Sequence, residues 1–287
     1  MADSPIDVAA PGSERTALVC ASPHSGMEYA PEFLAQSRLD PLALRRSEDS
    51  FVDEIFGYAP ALGAPLLKAR FPRAYVDPNR EPFELDPHMF EETLPLYVNS
   101  RSPRVQSGLG TIARVVANGE EIYASKLRLA DALARIEGLY RPYHRALRQL
   151  LTGTLEHFGG YILIDCHSMP SAGIPGERAA RHPNVDIVLG DCHGTSCHPV
   201  IAEMAERVLT AKGYTVMRNA PYAGGFTTAH YGAPSPGRHA LQIEINRRLY
   251  MDERTMDRKP FLRQLAEDMG DLMATLATLD PCRPAPG

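Results

Sequence analysis

The sequence predicts an α/β protein with a mixed, mostly parallel central sheet flanked by helices, and three observations carry that expectation. Short apolar runs bounded by Gly, Pro, Asp or Asn recur along the chain, stretches of helical periodicity separate several of them, and Tyr161-Ile162-Leu163-Ile164 is apolar at consecutive positions. The last pattern marks a strand covered on both faces, and alternation of strands with helices marks a parallel sheet. The strand candidates are residues 16–21, 65–69, 73–76, 161–164, 186–189, 214–217 and 240–245. The helical candidates are 48–62, 120–158 with a break near Pro142, 199–212 and 255–279, each with apolar residues on one stripe.

The chain has 287 residues, 44% hydrophobic and 23% charged, which is enough apolar material for a sizeable core. We expect a flexible leader over 1–14, a single domain over 15–280 and a Pro-rich tail over 281–287. A net charge of −5 with scattered basic residues argues against a nucleic-acid partner. No apolar run approaches a membrane span, and Asp3, Asp7 and Glu14 are out of place in a signal peptide. Five cysteines without a CxxC pair argue against a disulfide framework and for a reducing, cytoplasmic setting. The oligomeric expectation is a monomer or small homo-oligomer.

In open α/β sheets the functional groups gather at the carboxyl ends of strands. Three strand candidates run into chemically capable clusters: Ser22-Pro23-His24-Ser25-Gly26, Asp77-Pro78-Asn79-Arg80 and Asp165-Cys166-His167-Ser168. His24 and His167 could converge on one metal ion, because imidazole plus carboxylate is the usual ligand set of a catalytic zinc. Asp49 and Asp53 are i and i+4 on the following helical candidate and offer a third ligand, with Glu28 another option; equally, Ser47 reads as an N-cap with acidic residues complementing the helix dipole. Residues 240–246 alternate strictly, with Gln242, Glu244 and Asn246 on one face. Glu244 in such a strand is either at an exposed edge or in use as a base. Arg73, Arg80 and Arg247 lie near strand ends and suit carboxylate capture. The Cys/His-rich run from Asp191 to His198 lacks a structural-zinc spacing and reads as a turn in which Thr195 or Ser196 caps the next helix. No G-x-S-x-G elbow, P-loop or G-x-G-x-x-G fingerprint occurs.

On these residues the chain resembles the N-formylglutamate amidohydrolase (N-formylglutamate deformylase) family. The ordered matches run from Ser22-Pro23-His24-Ser25-Gly26 through Asp49, Arg73, Asp77-Pro78-Asn79-Arg80, Pro142-Tyr143-His144 and Asp165-Cys166-His167-Ser168-Met169-Pro170. They continue through Pro221-Tyr222-Ala223-Gly224-Gly225 and Tyr231-Gly232-Ala233-Pro234 to the strand holding Gln242 and Glu244. The resemblance implies a zinc carboxypeptidase-like (phosphorylase/hydrolase-like) fold, a part in histidine degradation, and hydrolysis of N-formyl-L-glutamate to formate and glutamate. It implies His24 and His167 as zinc ligands, Glu244 as the base, Arg80 as oxyanion stabiliser, and Asn79 with Arg80 on the substrate. Related zinc enzymes carry a Glu three residues after the first His. Met27 stands there instead, so the carboxylate ligand comes from elsewhere, Asp49 first and Asp53 behind it. A substrate with two carboxylates also calls on Arg73 and Arg247, and a loop of Tyr222, Gly225 and His230 would close over it. Two rival expectations are a zinc amidohydrolase or carboxypeptidase for another N-acyl amino acid or small peptide, and a non-catalytic binder of acyl amino acids.

Overall fold

The computed structural model describes residues 4–12, 15–116, 118–171 and 185–284. Parts of the expected leader (1–3, 13–14) and tail (285–287) lie outside the described residues. Among the described residues seven strands form one sheet: β1 (Ile6–Ala9), β2 (Leu18–Ser22), β3 (Leu66–Ala69), β4 (Tyr161–Met169), β5 (Ile187–Gly190), β6 (Val216–Arg218) and β7 (Arg238–Asn246), in the order β1-β3-β2-β4-β7-β5-β6. β2 runs parallel to β4, β4 to β7 and β5 to β6, while β5 and β7 are antiparallel. A ribbon of β8 (Met251–Asp252) and β9 (Asp257–Arg258) stands separately. The helices are α1 (Pro31–Gln36), α2 (Pro41–Arg45), α3 (Val52–Ile55), α4 (Pro103–Gln106), α5 (Leu129–Arg135), α6 (Arg141–Phe158), α7 (Pro199–Ala211), α8 (Phe226–Tyr231) and α9 (Phe261–Leu276).

The chain folds into two compact units interleaved in sequence. One comprises Met1–Asp7, Pro23–Glu48 and Lys68–Ala146; the other comprises Val8–Ser22, Asp49–Leu67 and Leu147–Gly287.

In the second unit the sheet faces differ in chemistry. Leu18, Cys20, Ile162, Ile164, Leu241, Ile243 and Ile245 belong to one buried core with Val52, Ile55, Ile201, Leu265, Met269 and Leu272 of the helices. α9 packs on both α3 and α7, and its buried positions, spaced at three and four residues, form the apolar stripe that the periodicity predicts. β7 lies between β4 and β5, so Glu244 is on an interior strand and the exposed-edge alternative is removed.

The expected helices over 120–158 and 255–279 begin only at Leu129 and Phe261, and further expectations need correction. Residues 73–76 form a turn, closed by the Tyr75 and Val76 amides donating to the Pro72 carbonyl at 2.9 and 3.3 Å. The helix expected over 48–62 reduces to α3 and a 3-10 turn at Pro60–Leu62, and its start is lost because the chain passes through a left-handed residue, Phe51 (φ 67°), immediately before α3. No break falls at Pro142; a π-helical turn, Ile136–Tyr140, precedes α6, and a wider turn accommodates a ring that lacks an amide hydrogen. Within the expected leader, Ile6–Ala9 forms β1 beside β3, where main-chain pairing rather than an apolar pattern holds it.

In the first unit Phe33 packs its ring 4.8 Å from Tyr75 and 6.0 Å from Tyr123. Pro at the first turn of α1, α2 and α4 suits positions whose amide hydrogens are unused in a helix.

Candidate active site

Strand pairing sets the polar face of the second unit. The β4–β7 register aligns Asp165 with Gln242 and His167 with Glu244, and aligned residues of neighbouring strands point to the same side. His167 bridges two carboxylates: Nδ1 lies 3.0 Å from Asp49 Oδ2 and Nε2 lies 2.9 Å from Asp165 Oδ1. Burial opposes a charged imidazole, yet Asp165, Asp49 and Glu244 outweigh it and hold the His167 pKa well above the usual histidine range. The other Asp165 oxygen accepts from the Thr228 hydroxyl at 3.0 Å, and Glu244 accepts from the Gln242 amide at 2.8 Å.

Asp49, fully buried, also accepts from the Ser168 hydroxyl at 2.9 Å and from Arg247 Nη2 at 3.0 Å. Arg247 Nε donates to Ser168 Oγ at 3.0 Å. Arg247 is thus the counter-ion of Asp49, and its pKa is raised because this carboxylate outweighs the burial that would lower it.

In the first unit Asp77 is the hub. Its Oδ1 lies 2.8 Å from His24 Nε2 and accepts from the Asn79 amide at 2.8 Å; its Oδ2 accepts from Arg73 Nε at 3.0 Å and lies 3.4 Å from Arg80 Nη2. Burial would raise the Asp77 pKa, but Arg80, His24 and Arg73 hold it well below the ordinary carboxylate range. Arg80 donates to the Leu109 carbonyl at 2.7 Å and the Asn79 carbonyl at 2.6 Å, while its buried Nη2 has no hydrogen-bond partner among the described residues. Burial lowers the Arg80 pKa to about 10, still well above neutrality. His144 Nε2 lies 2.8 Å from the Pro78 carbonyl and ties α6 to the same turn.

His24 stands two residues beyond Ser22, the last residue of β2, and β2 carries Ala21 opposite Asp165 of β4. His24, Asp49 and His167 are buried and offer ligand atoms all within 4.8 Å of one another, a group that could hold a metal ion. The donor set fits a divalent metal of the zinc type. Each histidine also has one ring nitrogen against a carboxylate outside this group, Asp77 for His24 and Asp165 for His167, the usual support that orients metal-ligating imidazoles, and the other nitrogen of His167 faces Asp49 within it.

The other candidates are distributed differently. Asp53, half-buried on α3, is not part of this group, and Glu28 is exposed and paired with Arg70 at 2.6 Å. Tyr222 packs against Met169, Val185 and Val188, and Gly225 is the N-cap of α8. His230 stacks on Phe226 at 4.8 Å on the exposed side of α8; Thr228, two residues earlier and so on the opposite side, is the one that reaches Asp165. The Asp191–His198 run is a turn, as expected, but its helix is capped by His198, whose Nδ1 accepts from the Val200 amide at 3.4 Å. Thr195 and Ser196 instead donate to the Cys192 and Ala240 carbonyls.

Sequence patterns alone assign no role to Asp77, Asp165, Thr228 or Ser168. Two signals point that way: Asp165 precedes His167 by the two-residue period of a strand face, and Asp77-Pro78-Asn79 has the side-chain-to-amide spacing of an Asx turn.

The N-formylglutamate amidohydrolase family model matches residues 16–251. The chain is 29% identical over 242 residues to N-formylglutamate deformylase of Pseudomonas putida, covering 83% of each, and 29% identical to that of Pseudomonas aeruginosa, covering 83% and 84%. It superposes on the crystal structure of N-formylglutamate amidohydrolase from Ralstonia eutropha JMP134 with a TM-score of 0.88 at 38% identity, covering 96% and 98% of the two chains. The Agrobacterium tumefaciens gene product Atu2144 shares the fold, at TM-score 0.65 and 18% identity over 96% and 95%. Among the described residues no helix is long and apolar enough to cross a membrane. Motifs, sheet topology and relatives converge: the chain belongs to the N-formylglutamate amidohydrolase family.

Proposed function

We propose that the chain hydrolyses the amide bond of N-formyl-L-glutamate, giving formate and L-glutamate, with a zinc ion held by His24, Asp49 and His167. The observation that carries this is the convergence of three buried ligand atoms within 4.8 Å, with Glu244 aligned beside His167 on the adjoining strand. The activity of the deformylase relatives and of the R. eutropha enzyme supports the substrate. Bound there, the ion would polarise the formyl carbonyl and make water a better nucleophile at neutral pH.

The protein's own groups divide the remaining work. Glu244 takes the proton of the attacking water and returns it to the leaving nitrogen. Nη2 of Arg80, ion-paired with Asp77 but making no hydrogen bond among the described residues, is a donor for the developing oxyanion or for a substrate carboxylate, and its charge persists at neutral pH. Asn79 and Arg73 join it on the substrate, held in the same Asp77-centred turn. Arg247, with Asp49 already as its partner, serves the substrate indirectly by keeping that carboxylate in place.

The test is release of formate and of a primary amine from N-formylglutamate before and after chelator dialysis, with metal content measured in parallel. Loss of both products on metal removal and recovery with one equivalent of zinc is expected. Full turnover in a metal-free sample would overturn the metal assignment, and release from other N-acyl amino acids but not from this one would overturn the substrate.

A further inference from the structure

We propose that the first unit contains a second small-molecule site, separate from every residue assigned above, that takes a free α-amino acid with an apolar side chain. A cavity of about 600 Å³ opens there, within the range of pockets that enclose small ligands. Its apolar wall is formed by Phe71, Tyr75 and Leu139.

The charges in the lining decide which ligand fits. Arg135, on α5, is only 6% exposed. Its guanidinium lies over the Tyr75 ring, 4.2 Å from the centroid, and donates to the Tyr123 hydroxyl and to Gln36 Oε1, each at 2.7 Å. Both partners are neutral, two of five N–H donors are used, and among the described residues no carboxylate lies within ion-pair distance. A buried cation of this kind ordinarily has an anion beside it. The other basic residues of the lining are matched locally: Arg70 with Glu28 and Arg128 with Asp131, each at 2.6 Å.

One acid of the lining also has no cation beside it, although it stands in water where Arg135 is buried. Glu32, exposed on α1, also lines the cavity, and no cation among the described residues pairs with it. Arg135 and Glu32 do not pair with each other, and Asp131, which acts on Arg135 through space, is hydrogen-bonded to Arg128; the cavity thus holds one guanidinium and one carboxylate without a direct ionic partner among the described residues. A zwitterion answers both, its carboxylate taking the remaining donors of Arg135 in a fork and its ammonium facing Glu32. A dianion such as phosphate would meet three lining carboxylates, Glu28, Glu32 and Asp131, and is disfavoured.

The experiment is isothermal titration calorimetry on the full chain with L-phenylalanine, phenylacetate and phenethylamine. These carry both charged groups, the carboxylate alone and the ammonium alone. L-Phenylalanine should give saturable binding, with the other two about tenfold weaker or more, as expected for loss of one charged hydrogen bond. Glu32→Gln, an exposed substitution that leaves packing untouched, should weaken L-phenylalanine about tenfold and leave phenylacetate unchanged. Arg135→Lys, checked for folding by circular dichroism, should weaken both carboxylates. No saturable binding of L-phenylalanine up to about 10 mM would overturn the proposal. So would an affinity that Glu32→Gln leaves unaltered, since the ligand would then be binding elsewhere. Because binding is read without turnover, the result is independent of the hydrolytic assignment.

Discussion

Asp49→Asn separates the two tasks given to one carboxylate. Asp49 is fully buried and neutralises Arg247, itself 4% exposed, while also accepting from His167 and Ser168. Asn has the same size and keeps one oxygen, so no cavity opens; what disappears is the charge facing a buried guanidinium. Breaking a buried pair from one side costs about 3–5 kcal/mol, and retention of one acceptor puts the expectation near 3 kcal/mol, roughly a hundredfold in the folding equilibrium. Urea unfolding of metal-free protein measures this, with Asp53→Asn on α3 as the control, expected within about 1 kcal/mol of wild type. Competition against a chromogenic chelator gives the second readout: Asp49→Asn should lower zinc affinity at least tenfold and Asp53→Asn should not. An Asp49→Asn protein as stable as wild type without metal would refute the counter-ion role. Unchanged zinc affinity would refute ligation.

Further outcomes follow from individual contacts. Glu244→Gln should keep the bound metal and lose turnover about 10²-fold or more; retained activity would dismiss the base. A Cβ added at Gly190 would lie 2.8 Å from the Ala223 carbonyl carbon and 2.9 Å from the Gly224 nitrogen, both rigid backbone. Gly190→Ala should therefore cost about 1–3 kcal/mol and raise KM by shifting the 223–225 loop, readable by thermal melting and steady-state kinetics. At Asp268 burial favours the neutral acid, but the Tyr214 hydroxyl, the Lys212 ammonium and the Gln264 amide outweigh it and lower its pKa. A carboxyl whose folded pKa lies below its unfolded value stabilises fully above about pH 4 and loses that contribution as pH falls through the folded pKa. The stability gap between wild type and Asp268→Asn should thus be flat near neutrality and shrink in acid; a gap that widens in acid would contradict the assignment.

What is legible in the sequence is whatever alternates or repeats locally. The apolar run at Tyr161, the alternation around Glu244 and the stripe of α9 each reflect one chain segment facing one environment, and each reappears in the structure. His24, Asp49 and His167 are readable as candidates because strand ends are where such groups gather. Relations between distant segments are not readable. Nothing local says that Asp77 supports His24 from 53 residues away, or that Arg247 is held by Asp49 across 198 residues and so does not stand open to a substrate carboxylate. The start of α3 misleads because Ser47 has the chemistry of a cap, whereas the chain bends at Phe51 and leaves Asp49 outside the helix, where its carboxylate meets three donors. Pro142 looks like a break in the sequence, yet a π-helical turn can absorb what a regular helix cannot.

The parallel ladder between β4 and β7 has a consequence for how this protein can vary. Asp165, His167, Gln242 and Glu244 share one side only because two strands are matched residue for residue over nine positions, while Ile164, Cys166, Leu241 and Ile243 occupy the other. Inserting or deleting a single residue in either strand would exchange the two sides, turning carboxylates into the apolar core and isoleucines towards the site. Length changes are therefore barred from these eighteen positions and confined to the loops between elements, whatever substitutions the strands themselves accept. The proposed ligand, the proposed base and the core are therefore tied to one register.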